Sequence, residues 1–310
     1  VVVLDALTYA GNLGTIAKDI DNERCFFIKG DICSREVVDS LFAEYRFDYV
    51  VNFAAESHVD NSIADPVKFV RTNVMGTAAL LDAAKRQWEK TSRLASARFH
   101  HISTDEVFGT LGAEGLFTED SPYAPTSPYS ASKASADLLV EAYAKTFGLN
   151  TTISHCSNNF GPWQHAEKFI PTVIRKCLAH EPIPIYGTGL NIRDWLWVED
   201  HCSAIETIFL HARAGSRYVV SAQCERTNLE LARTICALLD RLRPWAGHNY
   251  AELIDFVTDR PGHDFRYASS AARIRDELGW QPAGSFEAML ERTLDWYLGH
   301  EAAFNQPQSR

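Results

Sequence analysis

Short apolar, β-branched runs recur along the chain with helix-like stretches between them: VVVLD at residues 1 to 5, RCFFIKGD at 24 to 31, DYVVNFAA at 48 to 55, RFHHIST at 98 to 104 and NTTISHC at 150 to 156. Strands this apolar are those of a sheet covered on both faces. Segments such as SREVVDSLFAEYR, at 34 to 46, predict βαβ crossovers and so a doubly wound α/β domain on a parallel sheet. Two longer helices are predicted over residues 65 to 90 and 127 to 148, the second with Ser127 as N-cap, Pro128 at its first position and Gly148 as its stop. After about residue 157 the pattern changes. GPWQHAEKFIP, IPIYGTGLNIRDW and VTDRPGHDFRY are loop-like and rich in Pro, Gly, aromatic and basic residues, with helical stretches at 228 to 242 and 285 to 298. The expected division is an N-terminal domain over 1–157 and a smaller mixed α/β domain over 158–310, with later segments able to return to the first.

Composition narrows the partners. The chain has 310 residues and a formal net charge of −10, from 40 Asp and Glu against 30 Lys and Arg, so neither nucleic acid nor an anionic membrane is an expected partner. Any anionic ligand has to be met by local positive charge. The 7 cysteines are an odd number with no C-x-x-C pair, which suits reduced thiols and predicts a cytoplasmic protein. No run of 18 apolar residues occurs, and the opening VVVLDALTYAGN lacks the basic start and cleavage site of a signal peptide.

The chemistry clusters at predicted strand ends. HHISTDEVFG, at 100 to 109, puts Asp105 beside Glu106 behind Ser103 and Thr104, where two ionised neighbours repel. Tyr129 and Lys133 stand one turn apart on one face of a predicted helix, where the ammonium is expected to lower the phenol pKa and make a base. Tyr and Lys meet at that spacing by chance in many helices, so the strand-end acids supply the needed context. Asp5 closes the first run, where a carboxylate can bind the adenosine ribose hydroxyls and repel the extra phosphate of NADP; a plain turn or helix cap is the other reading. GDI, at 30 to 32, and NFAAESHVD, at 52 to 60, close two more strands. Gly109, Gly112 and Gly115 match G-x-x-G-x-x-G, but LFTEDSPYAPTSP follows and cannot open the helix that a pyrophosphate needs. His100 and His101 lack a third spaced ligand and are expected to be buried structural residues, with no metal; Trp195 and Trp197 are expected to pack.

These segments, together with CSNNFGPWQHAEKFIP, IYGTGLNIRDWLWVEDHC, ERTNLE and SPYSASKA, resemble the dTDP-glucose 4,6-dehydratases, a family of extended short-chain dehydrogenases/reductases, in order over residues 5 to 267. The resemblance implies a Rossmann-like fold, NAD as cofactor, a homodimer, and dehydration of dTDP-glucose to the 4-keto-6-deoxy sugar. It implies that Tyr129 takes the proton of the sugar 4-hydroxyl, Glu106 that of C5, and Asp105 protonates the departing 6-hydroxyl, with Thr104 on the 4-hydroxyl and Lys133 on the phenolate. It further assigns NAD contacts to Asp5, Leu7, Thr8, Asp31, Ile32, Phe53, Ala54, Ala55, Ser57, Thr72, Tyr129, Lys133 and Asn159. The nucleotide sugar is assigned Ser57, Thr104, Asn158, Glu167, Lys168, Phe169, Pro184, Ile185, Tyr186, Arg193, Asn228, Arg260 and His263. A 4-epimerase or decarboxylase of the same superfamily would share Tyr129 and Lys133 without needing Glu106, and an inactive fragment or binding protein is the alternative outside enzymes.

The chain departs from the family pattern at Asn61, where arginine is expected, at Phe108 for tyrosine, and at residues 221 to 224, where a glycine-rich strand end is expected. Its first run corresponds to a second strand, so the expectation is a piece of a longer product in which a preceding strand and Gly-rich turn complete the NAD site.

Overall fold

A computed structural model describes residues 1–20 and 23–300, so residues 301–310 of the expected C-terminal domain lie outside the described residues. The chain runs β1 (Val2–Asp5), β2 (Phe26–Lys29), α1 (Arg35–Glu44), β3 (Tyr49–Asn52), α2 (Val59–Ala64), α3 (Pro66–Phe69), α4 (Thr77–Lys90), β4 (Arg98–Thr104), α5 (Pro128–Phe147) and β5 (Thr151–Cys156). It continues through β6 (Asn158–Phe160), α6 (Phe169–Leu178), β7 (Ile183–Tyr186), β8 (Ile192–Trp197), α7 (Val198–His211) and β9 (Arg217–Val220). Then come β10 (Glu225–Thr227), α8 (Asn228–Leu242), β11 (Ile254–Val257), α9 (Ala272–Leu278) and α10 (Phe286–Gly299). The expected strands and helices are found close to their predicted limits.

The parallel strands form two sheets rather than one. β1 pairs with β2, and β3, β4, β5 and β9 pair in that order, so β1 and β3 each have a strand on one edge only. β9 comes from the C-terminal half and extends the sheet begun by the N-terminal half. Both faces are covered: Leu81, Ala84 and Trp88 of α4 and Val140 of α5 pack with Phe99 and Ile153. On the other side Ala204 and Ile208 of α7 and Ile274 of α9 pack with Tyr218 and Val220. That is a Rossmann-like arrangement, and the apolar strands follow from it, since each fully buried large side chain contributes about 1.5–3 kcal/mol. Two small sheets stand beside it, the mixed β10-β8-β6 and the parallel pair β11-β7, over a separate core that includes Trp195 and Trp197.

α5 forms where the sequence predicts it. Ser127 accepts from Ser130 N–H in a capping box, Pro128 sits at the first turn, and Gly148 ends the helix in the left-handed region at φ 69. The other long helix is broken: α3 passes through a π segment, Val70–Gly76, before α4. Gly76 lies so close to the strand layer that a Cβ would come within 2.4 Å of Ile32 Cδ1. No helix among the described residues is long and apolar enough to cross a membrane.

Candidate active site

β4 ends in Ser103 and Thr104, and the chain turns at once into a 3-10 turn, Asp105–Phe108. Thr104 caps it by accepting from Glu106 N–H at 3.3 Å, and its hydroxyl lies 3.4 Å from Asp105 Oδ1. Gly109 closes the turn at φ 85, with Ala124 O only 2.4 Å from where a Cβ would be, so the backbone there has room for glycine alone. No helix follows Gly109, Gly112 and Gly115, in line with their rejection as a phosphate loop.

Asp105 is buried and Glu106 half-buried. Burial, then the Glu106 and Asp194 carboxyls, hold Asp105 well above the usual carboxylate range. Burial also raises Glu106, but Arg193, Arg260 and Lys168 oppose it. Asp105 meets two carboxyls against Arg193, whereas Glu106 meets three cations against Asp264, so their proton affinities separate, with Asp105 the better proton holder.

Tyr129 and Lys133 are buried on the face of α5 that meets β4. The expected lowering of the Tyr129 pKa is corrected here. Burial first, then Glu106 and Cys156, push the phenol well above its ordinary value, against the Thr104 hydroxyl. Lys133 does not hold the phenol; its Nζ donates to Ile102 O at 2.7 Å, and burial lowers its pKa while Asp137 supports the charge. Asp137, one turn on, accepts from Ser103 at 2.8 Å and lies 3.1 Å from His155 Nε2. His100 and His101 are buried as expected, His100 between Thr152 and Ser154, its pKa pushed by burial to about 3.

Residues assigned to the substrate come to the same pocket unevenly. Lys168, Arg193 and Arg260 all act on Glu106. Arg260 Nε is buried without a partner, and its Nη1 lies 3.6 Å from Asp60. Asn158 Oδ1, in β6, is buried without a partner too. Arg193 donates to Ile192 O and Asp264 O and covers the Tyr267 ring at 4.3 Å. His263 meets Asp259 at 2.6 Å and approaches the Tyr186 ring edge-on at 6.1 Å; Tyr186 is exposed and Pro184 half-buried. Lys168 donates to Ser57 O at 3.3 Å. Asn228 starts α8, its N–H on Asn191 O at 3.0 Å. Other assigned side chains turn elsewhere. Ile185 is wholly in the core, Phe169 packs against that core, and Glu167 is gathered in by Tyr9 at 3.2 Å with His58 and His165 nearby.

At the carboxyl end of β1, Asp5 accepts from Leu7 N–H at 2.6 Å, and Thr8 O accepts from Gly11 N–H at 2.9 Å. Asp5, Leu7, Gly11 and Asn159 help to line a cleft of about 470 Å³. A Cβ on Gly11 would fall 2.7 Å from Leu7 Cα and 3.2 Å from Asp5 Oδ1, so the turn closes tightly under the carboxylate. Asp31 holds Cys33 N–H and approaches Arg71 at 3.8 Å, and Ile32 is core. Phe53 is 60% exposed, Ala54 N–H binds Asn52, Ala55 follows it out of β3, and Thr72 lies half-buried in the π segment. A strand-end acid over a tight backbone turn and a cleft fits a dinucleotide ribose.

Sequence reasoning missed Tyr9, Asp137, Asp194 and Ser269. For Asp194 there was one signal, a carboxylate in IRDWLW, whose other residues apart from Arg193 are apolar.

A Tyr and a Lys on the helix after β4, facing strand-end acids on a Rossmann-like sheet, define the class as a short-chain dehydrogenase/reductase type of enzyme. The family described as GDP-mannose 4,6 dehydratase matches residues 1–293. A dTDP-glucose 4,6-dehydratase of Xanthomonas campestris pv. campestris is 53% identical over 97% of this chain and 87% of that protein. That of Neisseria gonorrhoeae is 50% identical over 97% of this chain and 89% of its own. A solved dTDP-glucose 4,6-dehydratase from Streptomyces venezuelae, with NAD bound, matches at a TM-score of 0.89 and 40% identity, covering 98% of this chain and 89% of that one. The chain belongs to the dTDP-glucose 4,6-dehydratase family.

Proposed function

We propose that this chain carries the site of an NAD-dependent hydro-lyase that converts dTDP-glucose to dTDP-4-keto-6-deoxyglucose. The observation that carries this reading is the unequal acid pair at the end of β4, one carboxyl pushed by burial and its neighbours well above the usual carboxylate range and the other facing three cations. A 4-epimerase has no use for such a pair, because it removes no proton from C5 and expels no hydroxyl.

NAD would be held by Asp5, Leu7 and Thr8 at the ribose, by Asp31 and Ile32 at the adenine, by the backbone of residues 53 to 55 with Ser57 and Thr72, and by Lys133 and Asn159. When bound, it supplies hydride exchange at C4 and C6 and a nicotinamide positive charge that favours the Tyr129 phenolate. Tyr129 takes the proton of the 4-hydroxyl, which Thr104 orients. The resulting ketone acidifies C5, Glu106 removes that proton, and Asp105 gives its own to the 6-hydroxyl, which leaves as water. Arg260, Lys168, Arg193 and His263, with Asn158, Asn228 and the backbone at Glu167 and Phe169, hold the diphosphate side, and Tyr186, with the backbone at Pro184 and Ile185, the base. The unpartnered Arg260 Nε and Asn158 Oδ1 support that assignment, since buried polar atoms rarely go without a partner.

The same reading includes a cytoplasmic homodimer. Seven free thiols suit a reducing compartment. Val67, Val70, Met75 and Leu138 expose a run of apolar surface on the α3 to α5 side, suited to a second copy.

The test is incubation of the enzyme and NAD with dTDP-, UDP- and CDP-glucose, followed by alkali. A near-ultraviolet band from the 4-keto-6-deoxy product, strongest with dTDP-glucose, is the expected result. Accumulation of a 4-epimer without that band would sink the reading.

A further inference from the structure

A third carboxyl sits behind the acid pair and has no part in the reaction just described. Asp194, in β8, is fully buried. Along β8 successive side chains alternate faces, so Asp194 points away from Arg193, whose guanidinium is engaged by Ile192 O, Asp264 O and Phe265 O. Among the described residues no cation lies within ion-pair distance of Asp194. Its partners are neutral: the Ser221 hydroxyl on Oδ2, and the Cys224 N–H on Oδ1 at 3.0 Å. Ser221 also lies 3.1 Å from Ser269 O, and Ser269 Oγ donates to Asp105 Oδ2 at 3.5 Å. Ser221 and Ser269 therefore lie between the two carboxyls inside the protein, Ser221 against the Ser269 carbonyl and Ser269 Oγ against Asp105.

We propose that Asp194 is a positioning residue whose buried negative charge, held by Ser221 and Cys224, keeps Asp105 in its protonated, proton-donating form. It touches no substrate and acts through Asp105. The groups that face Asp105 are Glu106 in the same turn, Thr104 of β4, Tyr129 of α5, Cys156 of β5, Arg193 and Asp194 of β8, and Ser269. Tyr129 and Cys156 are held in their neutral forms by burial, so they add little charge. Glu106 must ionise to act, Arg193 works against Asp105 protonation, and Asp194 is the remaining anion that favours it. Glu225, of the same sign, also acts on Asp194, and the pKa of Asp194, raised by burial to about 6, leaves it ionised above neutrality.

This inference rests on the reading of Asp105 as proton donor. The experiment is the pH profile of kcat for the NAD-loaded enzyme with dTDP-glucose, for wild type, Asp194→Asn, Asp105→Asn and the double variant. With D194N the alkaline limb, where Asp105 loses its proton, is expected to move down by on the order of one pH unit, with KM and the acidic limb unchanged. In the D105N background D194N is expected to change nothing further. A uniform loss with an unmoved alkaline limb, or an equal loss in the D105N background, overturns the proposal. If D105N itself turns over normally, the reading of Asp105 has failed instead. Should D194N not fold, Ser221→Ala keeps the carboxyl and removes its hydroxyl donor, so Asp194 holds its negative charge less readily and supports the Asp105 proton less. The alkaline limb is then expected to move down, by less than in D194N, at constant KM and only when Asp105 is present. An unmoved alkaline limb in S221A, or an equal change in S221A/D105N, overturns the proposal.

Discussion

The reaction centre and the wall opposite it are built on different principles. At the end of β4, Thr104, Asp105, Tyr129 and Lys133 are all buried, on a capped turn and a helix with both ends specified. Across the pocket, Lys168, Arg260, His263 and Tyr186 sit on loops or at element ends, partly exposed except for the buried His263 ring, and most are tied to a local partner: Ser57 O, Asp60 and Asp259. Groups that move protons must hold geometry and pKa before substrate arrives, which burial provides. Groups that bind a diphosphate have to exchange one partner for another, and surface ion pairs are weak enough to let go.

The difference predicts where mutations act. Glu106→Gln is expected to lower kcat by about 10²- to 10⁴-fold with KM nearly unchanged, because it removes a positioned base and leaves the wall intact. The wild-type kcat profile should also be bell-shaped. It falls on the acidic side as Glu106 takes up a proton, at a pH above its ordinary value because burial raises it, and on the alkaline side as Asp105 loses one. Steady-state kinetics across pH checks both, and a KM effect as large as the kcat effect would erase the contrast between the two regions.

Arg260→Ala attacks the other region. Losing a charge-assisted contact to the diphosphate costs about 1.5–3 kcal/mol, so KM is expected to rise by roughly 10- to 100-fold while kcat at the optimum changes less. Because Arg260 also opposes the raised pKa of Glu106, the acidic limb should move to higher pH in this variant. A kcat loss equal to that of Glu106→Gln would mean that the wall is part of the catalytic frame.

The same contrast decides what was legible in the sequence. Local signals wrote α5: Ser127, Pro128 and Gly148 stand within the segment they delimit, and the motif at Thr104, Asp105 and Glu106 is contiguous with the strand that carries it. The π segment at Val70–Gly76 was not legible, because it depends on how closely Gly76 approaches Ile32, some 40 residues away in the chain. Nor was the Tyr129 pKa, since helix spacing gives proximity of Lys133 but not that its ammonium reaches the Ile102 carbonyl. Asp137 and Asp194 look alike in sequence, and only partners 34 and 27 residues distant, Ser103 and Ser221, tell what each does.

The smallest expected effect lies at a departure from the family pattern. Residues 221 to 224, where a glycine-rich strand end was expected, wrap the Asp194 carboxyl, with Ser221 Oγ accepting from Gln223 N–H at 2.8 Å and Cys224 N–H donating to Asp194. Gln223 does so at φ 54, in the left-handed region. Such a conformation costs a non-glycine residue about 1–2 kcal/mol. Gln223→Gly removes that strain but loosens the unfolded chain by about 0.4–1 kcal/mol, so the net change should be a stabilisation of no more than ~1 kcal/mol, read as a small rise in Tm. The turn's backbone contacts to Asp194 persist in that variant, so the pH profile should stay as in wild type. A clear fall in Tm would instead show that the glutamine side chain itself holds the turn, and would place the rigid support of the reaction centre partly in the C-terminal half.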